Sequence, residues 1–157
     1  MTPPHITVIN ANGSFGLNRR FIRRLVIRIL EILKEPPETE FEVVFLSDGA
    51  MRVFNRKYKG ADRATDVLSF RLPKDGMGTD AFFGEIFISS DTASRNAVRF
   101  GTGFAEELVL YVIHGILHFL GYEDGTPGER ARMSRKEKKV LRYLCKNENL
   151  SRVLTTR

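Results

Sequence analysis

Three side chains in this sequence are spaced as ligands of one metal ion: His114, His118 and Asp124. They lie in the run 112–124, which reads VIHGILHFLGYED. Residues four apart on a helix stack on one face. The two imidazoles can thus offer nitrogens to a single ion at the ~2.0–2.1 Å that zinc requires. Gly121 is placed to end that helix in a left-handed conformation open to glycine. The chain then turns back, and Asp124 supplies a carboxylate oxygen. Two histidines and one carboxylate leave a coordination position for water, the arrangement of a catalytic rather than a structural zinc. Water bound there has its pKa drawn from about 15.7 toward ~7. The chemistry expected is metal-dependent hydrolysis. The same donors describe the facial triad of non-haem iron enzymes, so spacing leaves zinc and another transition metal both open.

The histidines need a long helix, and the mostly apolar stretch 104–120 provides one. Ahead of it, 6–10 reads as a short strand. Phe21, Ile22, Leu25, Val26, Ile29, Leu30 and Leu33 recur at helical spacing, a helix that must stop before Pro36-Pro37. The β-branched and aromatic run 41–47 is a strand. Asp48 is placed to cap a helix to about Tyr58, closed by Gly60. The segments 65–72 and 82–89 are two more strands, joined through PKDGMGTDA as an antiparallel hairpin. Asp91 is placed to cap a helix through Arg99. A last helix spans 129–146, with Met133, Val140, Leu141 and Leu144 on its buried stripe. The order predicts one α+β domain over 1–157, a sheet of about four strands with helices packed against it.

The chain carries a net charge of +6. From Thr126 onward ten Lys/Arg face three Glu, so the whole excess sits at that end. Arg19, Arg20, Arg23, Arg24 and Arg28 form a second basic cluster. Clustered positive charge attracts polyanions by counterion release; a solvated helix face is the plain alternative. Cys145 is the only cysteine, MTPPHITVIN has no basic-then-apolar leader pattern, and 104–120 is too short and polar for a bilayer span. A soluble cytoplasmic protein without membrane contact is expected.

The spacing H-x-x-x-H-x-x-G-x-x-D parallels the metzincin pattern H-E-x-x-H-x-x-G-x-x-H. It departs at Gly115, where a metalloprotease has its general-base glutamate, and at Asp124, where the third histidine stands. Glycine takes no proton from water, which argues against a protease.

The run HGILHFLGYED at 114–124 is similar to the HGxLHLxGYDH signature of the YbeY family of endoribonucleases and rRNA maturation factors. NRKYKG at 55–60 and TDVLSF at 65–70 resemble that family's N-x-x-Y-R-G and T-D-V-L-S-F, and GEIFIS at 84–89 resembles its G-D-I-x-I-S. Ala93, Asn96, Ala97, Met133 and Glu137 fall in the expected order. The resemblance implies a zincin-like α+β fold with His114, His118 and Asp124 as zinc ligands. It implies that Lys59, in place of the family's arginine, stabilises the phosphate, a point charge where a bidentate fork is usual. The implied substrate is single-stranded RNA, notably rRNA ends on the ribosome or its subunits. Metal-activated water or a ribose 2′-hydroxyl would attack the phosphorus.

Glu123 and Glu85 are the candidate general bases, each also an ordinary carboxylate. Met133 is a candidate to pack beneath the metal or to fill the core. Arg71 is a candidate for phosphate contact or edge-strand protection, and Phe82 and Phe83 for base stacking or burial in the sheet; His5 is incidental. Two rival readings stand beside the endoribonuclease: a metal hydrolase of another substrate class, and a ribosome-binding assembly factor with a structural metal.

Overall fold

The computed structural model describes residues 4–35, 40–63, 65–73 and 82–155. Four strands, β1 (His5–Asn10), β2 (Glu40–Leu46), β3 (Val67–Pro73) and β4 (Phe82–Ser89), form one sheet in the order β1-β2-β4-β3. β1 and β4 both run parallel to β2, and β3 lies antiparallel to β4 on the edge. The antiparallel pairing expected of the last two strands is present, with Val67 opposite Ile88 and Arg71 opposite Gly84. The segment 74–81 that joins them lies outside the described residues. Thr65 and Asp66 precede β3 rather than open it.

Among the described residues five helices accompany the sheet, α1 (Arg19–Ile32), α2 (Asp48–Lys59), α3 (Ser90–Phe100), α4 (Phe104–Phe119) and α5 (Pro127–Asn147), with α5 packed on α4 rather than on the strands. The stripe Phe21, Ile22, Leu25, Val26, Ile29 and Leu30 buries α1, and the Asn18 side chain accepts from Phe21 N to cap it. α4 is buried nearly all round, as its unbroken apolarity requires. Its open stripe runs through Glu106, Leu110, His114 and His118, four residues apart. These helices share a core with Phe41, Val43, Phe45, Ile86 and Ile88 from one sheet face. Each such side chain contributes about 1.5–3 kcal/mol by leaving water. The opposite face is covered by α2, where Met51 meets Val44, Leu46, Leu68 and Phe87. No single helix among the described residues is long and apolar enough to cross a membrane.

Two glycines let α4 press against the sheet. A Cβ on Gly115 would lie 2.5 Å from Ile86 Cγ2, and one on Gly84 would lie 2.5 Å from Phe41 Cδ1 and 3.0 Å from Phe119 Cδ2. Ser69 Oγ donates to the Gly115 carbonyl at 2.8 Å, pinning the helix to the edge strand at the turn that carries His114.

Two caps differ from expectation. Ser47, not Asp48, caps α2, accepting from Ala50 N at 3.2 Å, and Ser89, not Asp91, caps α3, accepting from Thr92 N at 3.1 Å. The aspartates instead link helices. Asp48 Oδ1 accepts from Ser89 Oγ at 2.7 Å and Thr92 Oγ1 at 2.8 Å, and its carboxylate pairs with Arg95. Asp91 accepts from Asp48 N at 2.9 Å and from Asn12 Nδ2 at 3.0 Å. Beyond α5 a short 3-10 helix, Leu150–Val153, returns the chain to α1, where Leu154 bridges Leu17.

Candidate metal centre

The C-terminus of α4 builds the site. Gly121 adopts φ +99°. Tyr122 N then donates to Leu117 O and Gly121 N to His118 O, each at 3.0 Å, the paired bonds of a Schellman turn. That turn reverses the chain and returns Asp124 to the histidine face. Arg71 on β3 donates from Nη1 to the Phe119 carbonyl at 2.9 Å, and its guanidinium lies 4.1 Å from the Phe82 ring centroid and 4.8 Å from that of Phe119. A cation at a helix C-terminus is favourable, so Arg71 fastens the turn that carries the site.

His114 Nε2 and His118 Nε2 are 3.0 Å apart, His118 Nε2 and Asp124 Oδ2 3.1 Å, and His114 Nε2 and Asp124 Oδ2 3.6 Å. Donors around an ion at ~2.0–2.1 Å in a tetrahedron stand about 3.3–3.4 Å apart. The triangle has that size, so the three residues fit a single small cation. Both imidazole side chains are 25% exposed and that of Asp124 45%, which leaves one side of the triangle open.

His114 Nδ1 hydrogen-bonds the Glu137 carboxylate from α5. With that proton committed to Glu137, the Nε2 lone pair faces the other two donors. Three lone-pair atoms at these distances repel unless a proton or cation lies between them. Burial opposes charge on His114. The Glu137 hydrogen bond and charge outweigh it, with help from Asp66 and Asp124, and hold the imidazolium above its ordinary pKa of 6.5. The group His114, His118 and Asp124 could hold a metal ion, and its nitrogen–oxygen donor set suits zinc and neighbouring transition metals.

The triangle opens on a cleft of about 280 Å³ lined in part by Asp66, Tyr111, Met133 and Glu137. Met133, 2% exposed, belongs to the core and also lines this cleft. Tyr111 takes a hydrogen bond from Asn96 Nδ2 at 2.6 Å, and burial pushes its phenol up to about 12. Arg130 Nη1 donates to the Asp124 carbonyl at 3.3 Å.

Other residues singled out from the sequence lie elsewhere. Lys59, exposed at the end of α2, rests its ammonium 5.5 Å from the Phe70 ring centroid. Phe70 packs with Leu68 on the α2 side of the sheet, whereas Ser69 and Arg71 turn toward α4, so Lys59 is not among the residues lining the cleft. Glu85 faces Glu42 across β2 and β4, and burial with that neighbouring charge raises its pKa. Its strand parity, shared with Phe87, puts it on the α2 side. Glu123 is exposed beside Asp124. Phe82 and Phe83 are partly buried, and His5 lies 3.6 Å from Glu40 at the far edge of the sheet. Glu137 was legible only in part. It falls at the buried spacing 133, 137, 140, 144, where an unpaired charge would be costly.

An α+β fold whose central helix presents two histidines, joined by a carboxylate from the turn beyond it, defines a class of proteins whose site could hold a metal ion. The sequence model described as Endoribonuclease YbeY matches residues 8–145; the chain belongs to that family. A relative from Chlorobium phaeovibrioides (strain DSM 265 / 1930), named Endoribonuclease YbeY, is 41% identical over 103 residues, 66% of this chain and 67% of its own. One of the same name from Geobacter metallireducens (strain ATCC 53774 / DSM 7210 / GS-15) is 37% identical over 143 residues, 88% of this chain and 95% of its own. A solution structure of a Thermotoga maritima protein superimposes with a TM-score of 0.58 at 28% identity, covering 90% of this chain and 93% of that one.

Proposed function

We propose that this chain is a single-domain, metal-dependent endoribonuclease that cleaves single-stranded RNA, with one zinc ion held by His114, His118 and Asp124. The observation that carries the reading is the donor triangle of 3.0, 3.1 and 3.6 Å, open on one side. Family membership supports RNA as substrate, and the resemblance supports rRNA ends, ribosomal subunits as partners and a cytoplasmic setting.

Bound zinc supplies Lewis acidity and lowers the pKa of the water it holds. The chain's own residues do the rest. Glu137 fixes the tautomer and the direction of the His114 ring. Arg71 and the Gly121 turn hold His118 and Asp124 in register. Asp66, Asp124 and Glu137 concentrate negative charge where the cation binds. By the resemblance Lys59 would stabilise charge on the phosphate; it stands at the end of α2 against Phe70, outside the cleft lining, so it would meet the RNA beyond the cleft. The bond broken is a backbone P–O bond, under attack by water or the neighbouring ribose 2′-hydroxyl.

The test pairs metal analysis of the purified protein with cleavage of labelled single-stranded RNA. Wild type is expected to cleave, chelation and His118→Ala to abolish cleavage, and zinc to restore it in wild type alone. Full activity after metal removal would refute the metal's role. Lys59→Ala is expected to slow cleavage, and equal rates for the two proteins would remove Lys59 from the catalytic set.

A further inference from the structure

α5 carries a face with no counter-charge. Arg132, Arg135, Lys138, Lys139, Arg142 and Lys146 are exposed along it, with Lys136 half-buried. None of these seven forms an ion pair among the described residues. They crowd one another instead. Arg132 and Lys136, Arg135 and Lys139, Lys138 and Arg142, and Arg142 and Lys146 are four apart; Arg132 and Arg135, Arg135 and Lys138, Lys136 and Lys139, and Lys139 and Arg142 are three apart. Like charges at these spacings destabilise a helix. The one acidic residue in this stretch, Glu137, turns inward to His114. A bound polyanion would relieve every one of these repulsions.

The face is continuous with the metal centre. Arg130 grips the Asp124 carbonyl, and Arg132 lies 5.0 Å from the ring centroid of Tyr122, in the turn between His118 and Asp124. From Arg132 to Lys146 the helix advances roughly 21 Å at ~1.5 Å per residue. At a stacked rise of ~3.4 Å that length spans about six nucleotides. Tyr143, 40% exposed, brings an aromatic ring to these cations, with Arg28 of α1 bonded to its hydroxyl at 3.0 Å and lying 5.5 Å from the ring centroid. A membrane surface is a poorer match, because such a helix needs an apolar face against lipid. The apolar residues of α5, Met133, Val140 and Leu144, are buried in the core.

We propose that the outward face of α5 is the binding track for the single-stranded RNA flank that leaves the metal cleft. The proposal rests on the endoribonuclease reading for the identity of its polyanion, and its test is a binding measurement independent of cleavage. The full chain, freed of metal by a chelator so that the RNA stays intact, is titrated against a dye-labelled single-stranded RNA of about 12 nucleotides, by fluorescence anisotropy across a range of salt. The quadruple variant R135S/K138S/K139S/R142S removes four mutually repelling charges, so it is expected to melt no lower than wild type. It is expected to bind about tenfold or more weakly, with the slope of log affinity against log salt reduced by about 0.7 for each phosphate no longer neutralised. The control R19S/R20S/R23S/R99S removes the same charge elsewhere, Arg23 lying over β1 where it donates to the Ile6 carbonyl, and is expected to bind nearly as wild type. Unchanged affinity in the α5 variant overturns the proposal. So does equal loss in both variants, which reports net charge alone, or tighter binding of double-stranded RNA of the same length. Failure of the endoribonuclease reading would appear separately, as absence of cleavage by wild type whatever its affinity.

Discussion

Replacing Glu137 by alanine removes the only hydrogen-bond partner of His114 Nδ1 among the described residues. The Glu137 side chain is 14% exposed and that of His114 25%, so water substitutes poorly for the missing carboxylate. Two consequences follow. The ring no longer has a reason to keep its proton on Nδ1, and it becomes free to turn about its side-chain axis. Both disturb Nε2, which makes the 3.0 and 3.6 Å edges of the triangle. Loss of such an outer partner weakens metal binding by about 10–100-fold, equivalent to roughly 1.4–2.7 kcal/mol. Glu137→Gln separates orientation from charge. Its amide oxygen still accepts from Nδ1, so the ring stays aligned and only the charge is removed. The expected order of zinc affinity is wild type, then Glu137→Gln, then Glu137→Ala. Competition against a colorimetric zinc chelator at fixed pH measures it, with thermal melts of the metal-free proteins to confirm folding. Wild-type affinity in Glu137→Ala would refute the reasoning, because His118 and the Gly121 turn would then suffice to set the geometry.

Gly115→Ala places a methyl 2.5 Å from Ile86 Cγ2. Overpacking of about 1–3 kcal/mol exceeds the ~1 kcal/mol gained in helix propensity, so the melting temperature is expected to fall by several degrees; a rise would overturn the close-packing argument. Burial opposes charge on Asp48, but hydrogen bonds from Arg95, Ser89 and Thr92 outweigh it and hold the carboxyl below its ordinary 3.8. Its contribution to stability is thus complete above that value and lost as pH falls through the depressed one. Denaturant melts of Asp48→Asn and wild type are expected to differ at neutral pH and to converge in acid, and parallel curves down to the lowest pH would contradict the pairing. Arg71→Ala deletes a charged donor to the Phe119 carbonyl, for a loss of about 1 kcal/mol after discounting for exposure. Urea denaturation checks it, and no change would mean that the Schellman turn holds the end of α4 unaided.

The meeting of His114, His118 and Asp124 could be read from the chain because helical periodicity turns a spacing of four into a shared face, and because a glycine at position 121 predicts a reversal. The elements were legible for the same local reasons. The sheet order was not. That β2 lies between β1 and β4 is a consequence of long-range burial, and no turn residue encodes it. The caps escape a local reading for a related reason. In Ser47-Asp48 and in the run Ser89–Asp91 either side chain type is competent to cap, and the choice depends on a neighbouring helix that recruits the aspartates. Glu85 shows the limit of motif order. Motifs adjacent in sequence sit on one strand or helix end, yet the parity of β3 and β4 decides which face each side chain reaches. A one-residue shift in register exchanges the faces, and nothing local to Glu85 fixes that register.

Parity and packing also explain why position 115 is glycine. The residue after His114 lies about 100° around the helix, and that direction points at Ile86 and Val67 on the sheet, with Ile86 Cγ2 2.5 Å and Val67 Cγ1 3.3 Å from a Cβ. A glutamate there would be driven into the core, far from any water in the cleft. The departure from H-E-x-x-H is therefore set by how closely α4 lies on β3 and β4. No carboxylate of α4 is among the residues that line the cleft. Of its lining carboxylates, Asp66 comes from the segment before β3, Asp124 from the turn after α4, and Glu137 from α5. Three separate stretches of chain thus bring carboxylates to the cleft, whereas in the H-E-x-x-H arrangement the helix carries its own.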